Sequence, residues 1–230
     1  MPCHRGIKVS SFQSGLIISR FTGDYDVDVK DDTNFSSEEW THDKLGSFES
    51  DDWRWVNEDY HFEALKSLFP NSDLKLELTI EVNEDDSKDL GHEDPLPPPS
   101  KPMIELTSKV LSNIENLVKE GVVALWDDLH GTGESSSGMW WNDGLEEVFG
   151  GDYNPDKPDS SEGLYQLLEP TGLDIDASIY EWNGPAGRIT FSSEIDEEHG
   201  ISFLTDGDRI IGLGYSMDPS PFKHLRNPEN

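Results

Sequence analysis

The chain has one cysteine, Cys3, among 230 residues. A single thiol forms no disulfide within the chain, so the fold carries no covalent staple and a reducing compartment is the natural setting. Positive charge is scarce too: 17 Lys and Arg stand against 48 Asp and Glu, a net charge of -31. Nucleic acid and anionic membranes are bound by Lys and Arg that displace counterions, and a surface this acidic repels both. Long apolar runs are missing. The longest candidate, GLIIS at 15–19, falls far short of the roughly 20 residues a membrane helix needs. The opening MPCHRGIKVSSF has no apolar stretch ahead of a small-residue cleavage site. The expectation is a cytoplasmic chain with no direct nucleic-acid or membrane partner.

Signatures of chemistry are thin. No serine lies in a Gly-x-Ser-x-Gly elbow and no His-Glu-x-x-His occurs. HGTGESSSG (130–138) resembles a phosphate loop only superficially, because it follows a helix and lacks Gly-Lys-Ser/Thr. The histidines at 4, 42, 61, 92, 130, 199 and 224 show no metal-ligand spacing among themselves. In DYDVDVK (24–30) three aspartates share one strand face, but the spacing is not that of an EF-hand loop. No cofactor and no metal are expected.

What is present is a pattern of strands around one long helix. GLIISRF (15–21) and DYDVDVK fit a hairpin across Thr22-Gly23, within an extension over 1–43 whose residues 31–43 read as loop. The main domain is expected at 44–217. Its aromatic stretch 51–65 reads as irregular. In LKLELTIEV (74–82) Leu74, Leu76, Leu78, Ile80 and Val82 alternate with polar residues, the period of a half-buried strand. An acidic, Pro-rich insert follows at 84–102. Over 103–129, Leu106, Val110, Ile114, Leu117, Val118, Val122, Leu125 and Leu129 keep the three-four spacing of a buried helical stripe, ended by Gly131 and Gly133. Short helices are expected at 143–149 and from Asp159 or Ser160 to Glu169, the latter with Asp159 and Glu162 as a capping box. Residues 174–182, 187–195, 200–206 and 209–216 read as consecutive antiparallel strands, with Asp206-Gly207 as a two-residue hairpin turn. Residues 218–230 read as a polar tail. The fold class is therefore α+β: an antiparallel β-sheet, from a C-terminal meander and N-terminal strands, packed on one long central helix.

Glu197, Glu198 and His199 sit at the bend between two of these strands. A carboxylate beside an imidazole is the raw material of acid/base catalysis. The alternatives are a contact with a partner, or a turn in which the side chains bond the bend and Gly200 permits tight backbone. A site assembled from His130 and His199 also stays open.

LGSFESDDWRW (45–55), LKLELTIEV, the helix ending ALWDDL, and ASIYEWNGPAGRITFSSEIDEEHGISFLTDGDRIIGLG together resemble a set of uncharacterised bacterial domains. These share a Leu-Gly-x-Phe opening, a mid-chain helix and a closing Glu-His-Gly hairpin with later glycines, here Gly212 and Gly214. The resemblance spans about residues 44–217. It implies occurrence in immunity-protein-like contexts and brings no catalytic residues with it.

With the charge, this leads to a non-enzymatic acidic binding protein, most simply an immunity- or antitoxin-like inhibitor that covers a basic partner such as a toxin nuclease. Trp140, Trp141, Asp143, Asp152 and Tyr153, with Glu197, Glu198 and His199, are the expected contact residues. Trp53, Trp55, Glu58, Asp59 and Tyr60 form a second aromatic and acidic group. The alternatives are a small hydrolase using His199 and Glu198, a nucleic-acid mimic that binds a DNA-binding protein, and a housekeeping domain adapted to salt.

Overall fold

The computed structural model describes residues 38–51, 53–82, 95–132 and 158–227. Among these residues nine strands form one sheet in the order β1 to β9: Glu39–His42, Gly46–Asp51, Arg54–His61, Lys75–Glu81, Leu168–Asp176, Ala186–Ser193, Ile201–Thr205, Ile210–Tyr215 and Asp218–Pro221. Every neighbouring pair is antiparallel except β4 with β5, which is parallel. A parallel pair needs a crossover, and the long helix α1, Lys101–Leu129, lies in that connection. This is the expected α+β arrangement, a mostly antiparallel sheet packed on a central helix.

Helix α1 starts after Ser100, with Pro102 in its first turn, and ends at His130 and Gly131, whose φ of 60° suits a glycine after a helix C-terminus. Every residue of the expected stripe is buried, joined by Met103 and Thr107. In register across the sheet, Leu78, Leu173, Ile189, Phe203 and Leu213 make one apolar row, and all five belong to the main core with the helix. Gly121 of α1 lies close on the sheet: a Cβ there would strike the Phe203 ring.

Several elements differ from the sequence reading. Residues 39–42, inside the stretch read as loop, form edge strand β1, and β3 runs through the stretch read as irregular. The expected helix to Glu169 is a 3-10 turn, Ser161–Leu167, that runs straight into β5. Its N-cap is Ser160, whose side chain makes no capping bond. The strand expected at 174–182 ends at Asp176, and 177–185 is a loop. The turn after β7 spans four residues, Asp206 to Arg209. Within the stretch read as tail, Asp218–Pro221 pairs with β8. The expected hairpin at 15–30 and helix at 143–149 lie outside the described residues.

Candidate functional site

The register that gives the sheet one helix-facing side also assembles its other side. Glu49 pairs with Val56, Val56 with Thr79, Thr79 with Asp174, and Asp174 with Arg188. One step along, Asp51 pairs with Arg54, and Arg54 with Glu81. Strand residues in register point the same way, so these polar side chains share the face turned away from α1.

That face has two parts. Over β1–β4 lies an open groove of about 540 Å³, lined in part by Glu39, Glu49, Asp51, Glu58, Asp59 and Glu77. Among the described lining residues Arg54 is the one cation, and Asp51 engages it at 2.8 Å. Lys75 approaches Asp59 at 3.7 Å from the side, with both side chains largely in water. Among the described residues, no Lys or Arg pairs with Glu39, Glu49 or Glu58. A shift in register between Asn57 and Tyr60 bulges β3 and carries Glu58 and Asp59 into the groove wall.

Over β6–β8 the same face is apolar and covered. Ala186, Leu204 and Ile211 form a second buried cluster under Ile179, Trp182 and Leu225. Between the two parts sits a charged knot. Arg188 lies 3.3 Å from Asp174 and 3.2 Å from Asp176. Glu81 accepts the Ala177 N–H at 2.9 Å. Burial pushes the Asp174 and Glu81 carboxyls above their ordinary range, and Asp176 up to about 7, against the pull of Arg188.

Glu198-His199-Gly200 is a turn organised by a residue the sequence reading passed over. Asp196 Oδ1 accepts from Glu198 N at 3.2 Å, His199 N at 2.9 Å and the His199 ring nitrogen Nδ1 at 3.1 Å. The imidazole also packs on Tyr215, ring centroids 4.7 Å apart. Gly200 has φ +63°, and a Cβ there would come within 2.6 Å of the Phe191 carbonyl oxygen. These bonds account for the motif as architecture. Glu197 and Glu198 are exposed. His130 is occupied elsewhere, its ring packed at a tilt on Trp126 with Nδ1 2.8 Å from the Trp126 carbonyl at the end of α1.

The other expected contacts divide. Trp140, Trp141, Asp143, Asp152 and Tyr153 lie outside the described residues. In the second group Trp53 is 51% exposed, with the Arg54 guanidinium 5.8 Å from its ring centre. Trp55 is buried and donates from Nε1 to the Pro97 carbonyl at 2.9 Å. Tyr60 packs edge-on against Phe62, while Glu58 and Asp59 are exposed in the groove. Among the described residues no group of three or more His, Cys, Asp or Glu is arranged to hold a metal ion, and no helix is long and apolar enough to cross a membrane. Glu39, Glu49, Glu77 and the Arg188 knot escaped the sequence reading; the one available signal was the alternation of Glu77, Thr79 and Glu81 opposite the leucines of β4.

No protein-family model, curated protein or solved structure matches the chain.

Proposed function

We propose that this chain is a non-enzymatic binding protein whose acidic sheet face receives a basic surface of another protein, in the manner of an immunity or antitoxin inhibitor in the cytoplasm. The observation that carries this is the groove over β1–β4, where, among the described residues, five carboxylates besides Asp51 face one guanidinium that Asp51 already engages. An uncompensated field of that kind accelerates encounter with a cationic partner and discriminates against anionic ones. The half-exposed Trp53 next to Arg54 supplies an aromatic anchor of the kind that concentrates binding energy. The same charge suits a partner that ordinarily holds nucleic acid, whether a toxin nuclease or another DNA-binding protein. The turn bonding of His199 favours architecture over hydrolysis at Glu198-His199.

The test is a pull-down with the tagged full chain from lysate of its own source, washed at low and at high salt, beside a variant with Glu39, Glu49 and Glu58 all changed to Gln. A basic protein held near-stoichiometrically by the wild type, released by salt and lost from the folded variant, is the expected result. Retention of the same protein by the variant with the same salt profile overturns the assignment to this groove. A wild type that holds no basic protein at either salt overturns the function.

A further inference from the structure

The Arg188 knot lies where the open groove gives way to the covered apolar cluster, and it is short of positive charge. The charged groups facing it are Arg54 from β3, Glu77 and Glu81 from β4, Asp174 and Asp176 from β5, and Arg188 from β6. Arg54 is held by Asp51 through two hydrogen bonds, at 3.1 and 2.8 Å. Among the described residues Arg188 is the guanidinium paired with Asp174 and Asp176 and acting on Glu81, while Arg54 acts on Asp174 from beyond contact. The Asp174 and Asp176 side chains are 21% and 6% exposed. Two uncompensated negative charges in so dry a place are costly, and a proton on one carboxyl is the cheapest remedy.

Hydrogen bonding indicates where that proton sits. Asp176 Oδ1 accepts from Arg188 Nη2 at 3.2 Å. Among the described residues Asp176 Oδ2 receives no hydrogen bond: Arg188 Nε is 3.2 Å away but off the bonding direction, and it too lacks a hydrogen-bond partner. The parallel register that pairs Ile80 with Ile175 sets Glu81 and Asp176, the next residues along, side by side on neighbouring strands. Two neighbouring carboxyls in so dry a place cannot both ionise cheaply, and one proton held between them relieves the repulsion.

The knot also holds the lid of the second cluster. Glu81 Oε2 accepts from Ala177 N, the first residue of the 177–185 loop that carries Ile179 and Trp182. Arg188 Nη1 donates to the Ser216 carbonyl at 3.0 Å, in the turn between β8 and β9. Further along the loop, Glu181 has φ 61°, unusual for a residue with a side chain, and is tied down by Arg226 at 3.1 Å and by the Asn227 N–H at 2.9 Å. The cover is thus anchored at its start by a carboxylate that shares the proton.

We propose that Glu81, Asp174, Asp176 and Arg188 form a buried proton-binding site, and that its occupancy sets how firmly the 177–185 loop is held over Ala186, Leu204 and Ile211. With the proton bound, the knot carries two carboxylates and one guanidinium, and Glu81 stays on Ala177 N. When the proton leaves to solvent, Glu81 and Asp176 repel each other, the Ala177 anchor loosens and the loop opens. A titration to about 7 at Asp176 places this change in the neutral range.

Hydrogen exchange of the full chain, followed by mass spectrometry between pH 6 and pH 8, tests it. After correction for intrinsic exchange chemistry, amides from Ala177 to Trp182 of the wild type should open on the order of tenfold more often at pH 8. Asp176→Asn, which imitates the protonated carboxyl, should hold the loop closed at both pH values. Infrared spectroscopy of the wild type needs no variant: a protonated-carboxyl band present at pH 6 should disappear by pH 8. Absence of that band at pH 6, or identical corrected exchange of the loop at both pH values in the wild type, overturns the proposal. So does a folded Asp176→Asn protein whose loop opens with pH as the wild type's does.

Discussion

If Glu198-His199-Gly200 is architecture, three substitutions in one turn should follow a set order. Gly200→Ala is the most damaging. The new Cβ meets the Phe191 carbonyl oxygen at 2.6 Å, a backbone atom that cannot swing away, and the backbone already sits at φ +63°. A left-handed conformation costs an L-residue roughly 1–2 kcal/mol and overpacking about 1–3 kcal/mol, so a loss of about 2–5 kcal/mol is expected. Asp196→Ala comes second. It strips the acceptor from two backbone N–H groups and one ring nitrogen, a cap-like arrangement whose removal costs about 1–2 kcal/mol. His199→Ala comes last, at about 0.5 kcal/mol, because its side chain is 50% exposed and an exposed pair is weak. Urea unfolding at pH 7, with midpoint and slope both fitted, measures all three. A His199→Ala protein as unstable as Asp196→Ala, or a Gly200→Ala protein close to wild type, refutes the turn assignment.

Other expectations concern the core and the charged knot. Gly121→Ala should destabilise by about 1–2 kcal/mol in spite of better helix propensity, because its Cβ would strike the Phe203 ring, and Phe203→Leu should recover part of the loss in thermal melts. Trp55→Phe removes the indole donor from the Pro97 carbonyl; a loss of about 1 kcal/mol in urea unfolding, with faster proteolysis next to residues 95–100, is the expected result. Asp176 has a folded pKa raised from 3.8 to about 7, so its contribution is fully present below pH 4 and is lost as pH rises through 7. At 1.36 kcal/mol per unit the fall is about 4 kcal/mol at most, and stability-against-pH curves should show it flattened in Asp176→Asn.

Elements that bury one continuous face were legible from sequence. The α1 stripe and the apolar alternation of β4 survive because helix and sheet share one core, and periodicity reports burial directly. Strands β6 to β8 were legible as consecutive antiparallel strands, and β7 and β8 are buried almost throughout because both of their faces are covered. Strands β1 and β3 failed the same test because their outward residues are charged and a bulge breaks the period of β3. Strand β5 holds Pro170 and Gly172, ordinarily strand breakers; the register shifts between them, and Gly172 lies against Glu77 so closely that a Cβ would sit 2.8 Å from its carbonyl oxygen. Strand β9 contains Pro219 and Pro221, which lack an N–H but are tolerated in the last strand, next to β8 alone. The groove was illegible for a different reason. Its carboxylates come from four strands, and only pairing registers, which sequence spacing does not encode, bring Glu39 opposite Glu49 and Asp51 opposite Arg54. The Glu-His-Gly motif was conspicuous in sequence, yet its organiser, Asp196, stood outside the three letters.

The acidic groove also makes a prediction about the free protein. A net charge of -31 opposes compaction, and folding concentrates part of that charge over β1–β4. Compensating surface pairs are exposed: Lys101–Glu105 at 85% and 66%, Lys75–Asp59 at 47% and 78%. Such pairs are worth little, so screening has more repulsion than attraction to remove. Raising NaCl from 0.1 M to 1 M shortens the screening length from about 10 Å to about 3 Å. The melting temperature should therefore rise, with each kcal/mol gained appearing as about 2–4 °C in a chain of this length. The Glu39, Glu49, Glu58 to Gln variant separates charge screening from general salting-out: it should begin at a higher melting temperature and gain less from salt. A cationic partner seated in the groove should stabilise the wild type as salt does, but saturably and at its own concentration, because it binds only the folded chain. A wild-type melting temperature that falls as NaCl rises would mean that the groove carboxylates are already compensated, and the electrostatic argument for a basic partner would fall with it.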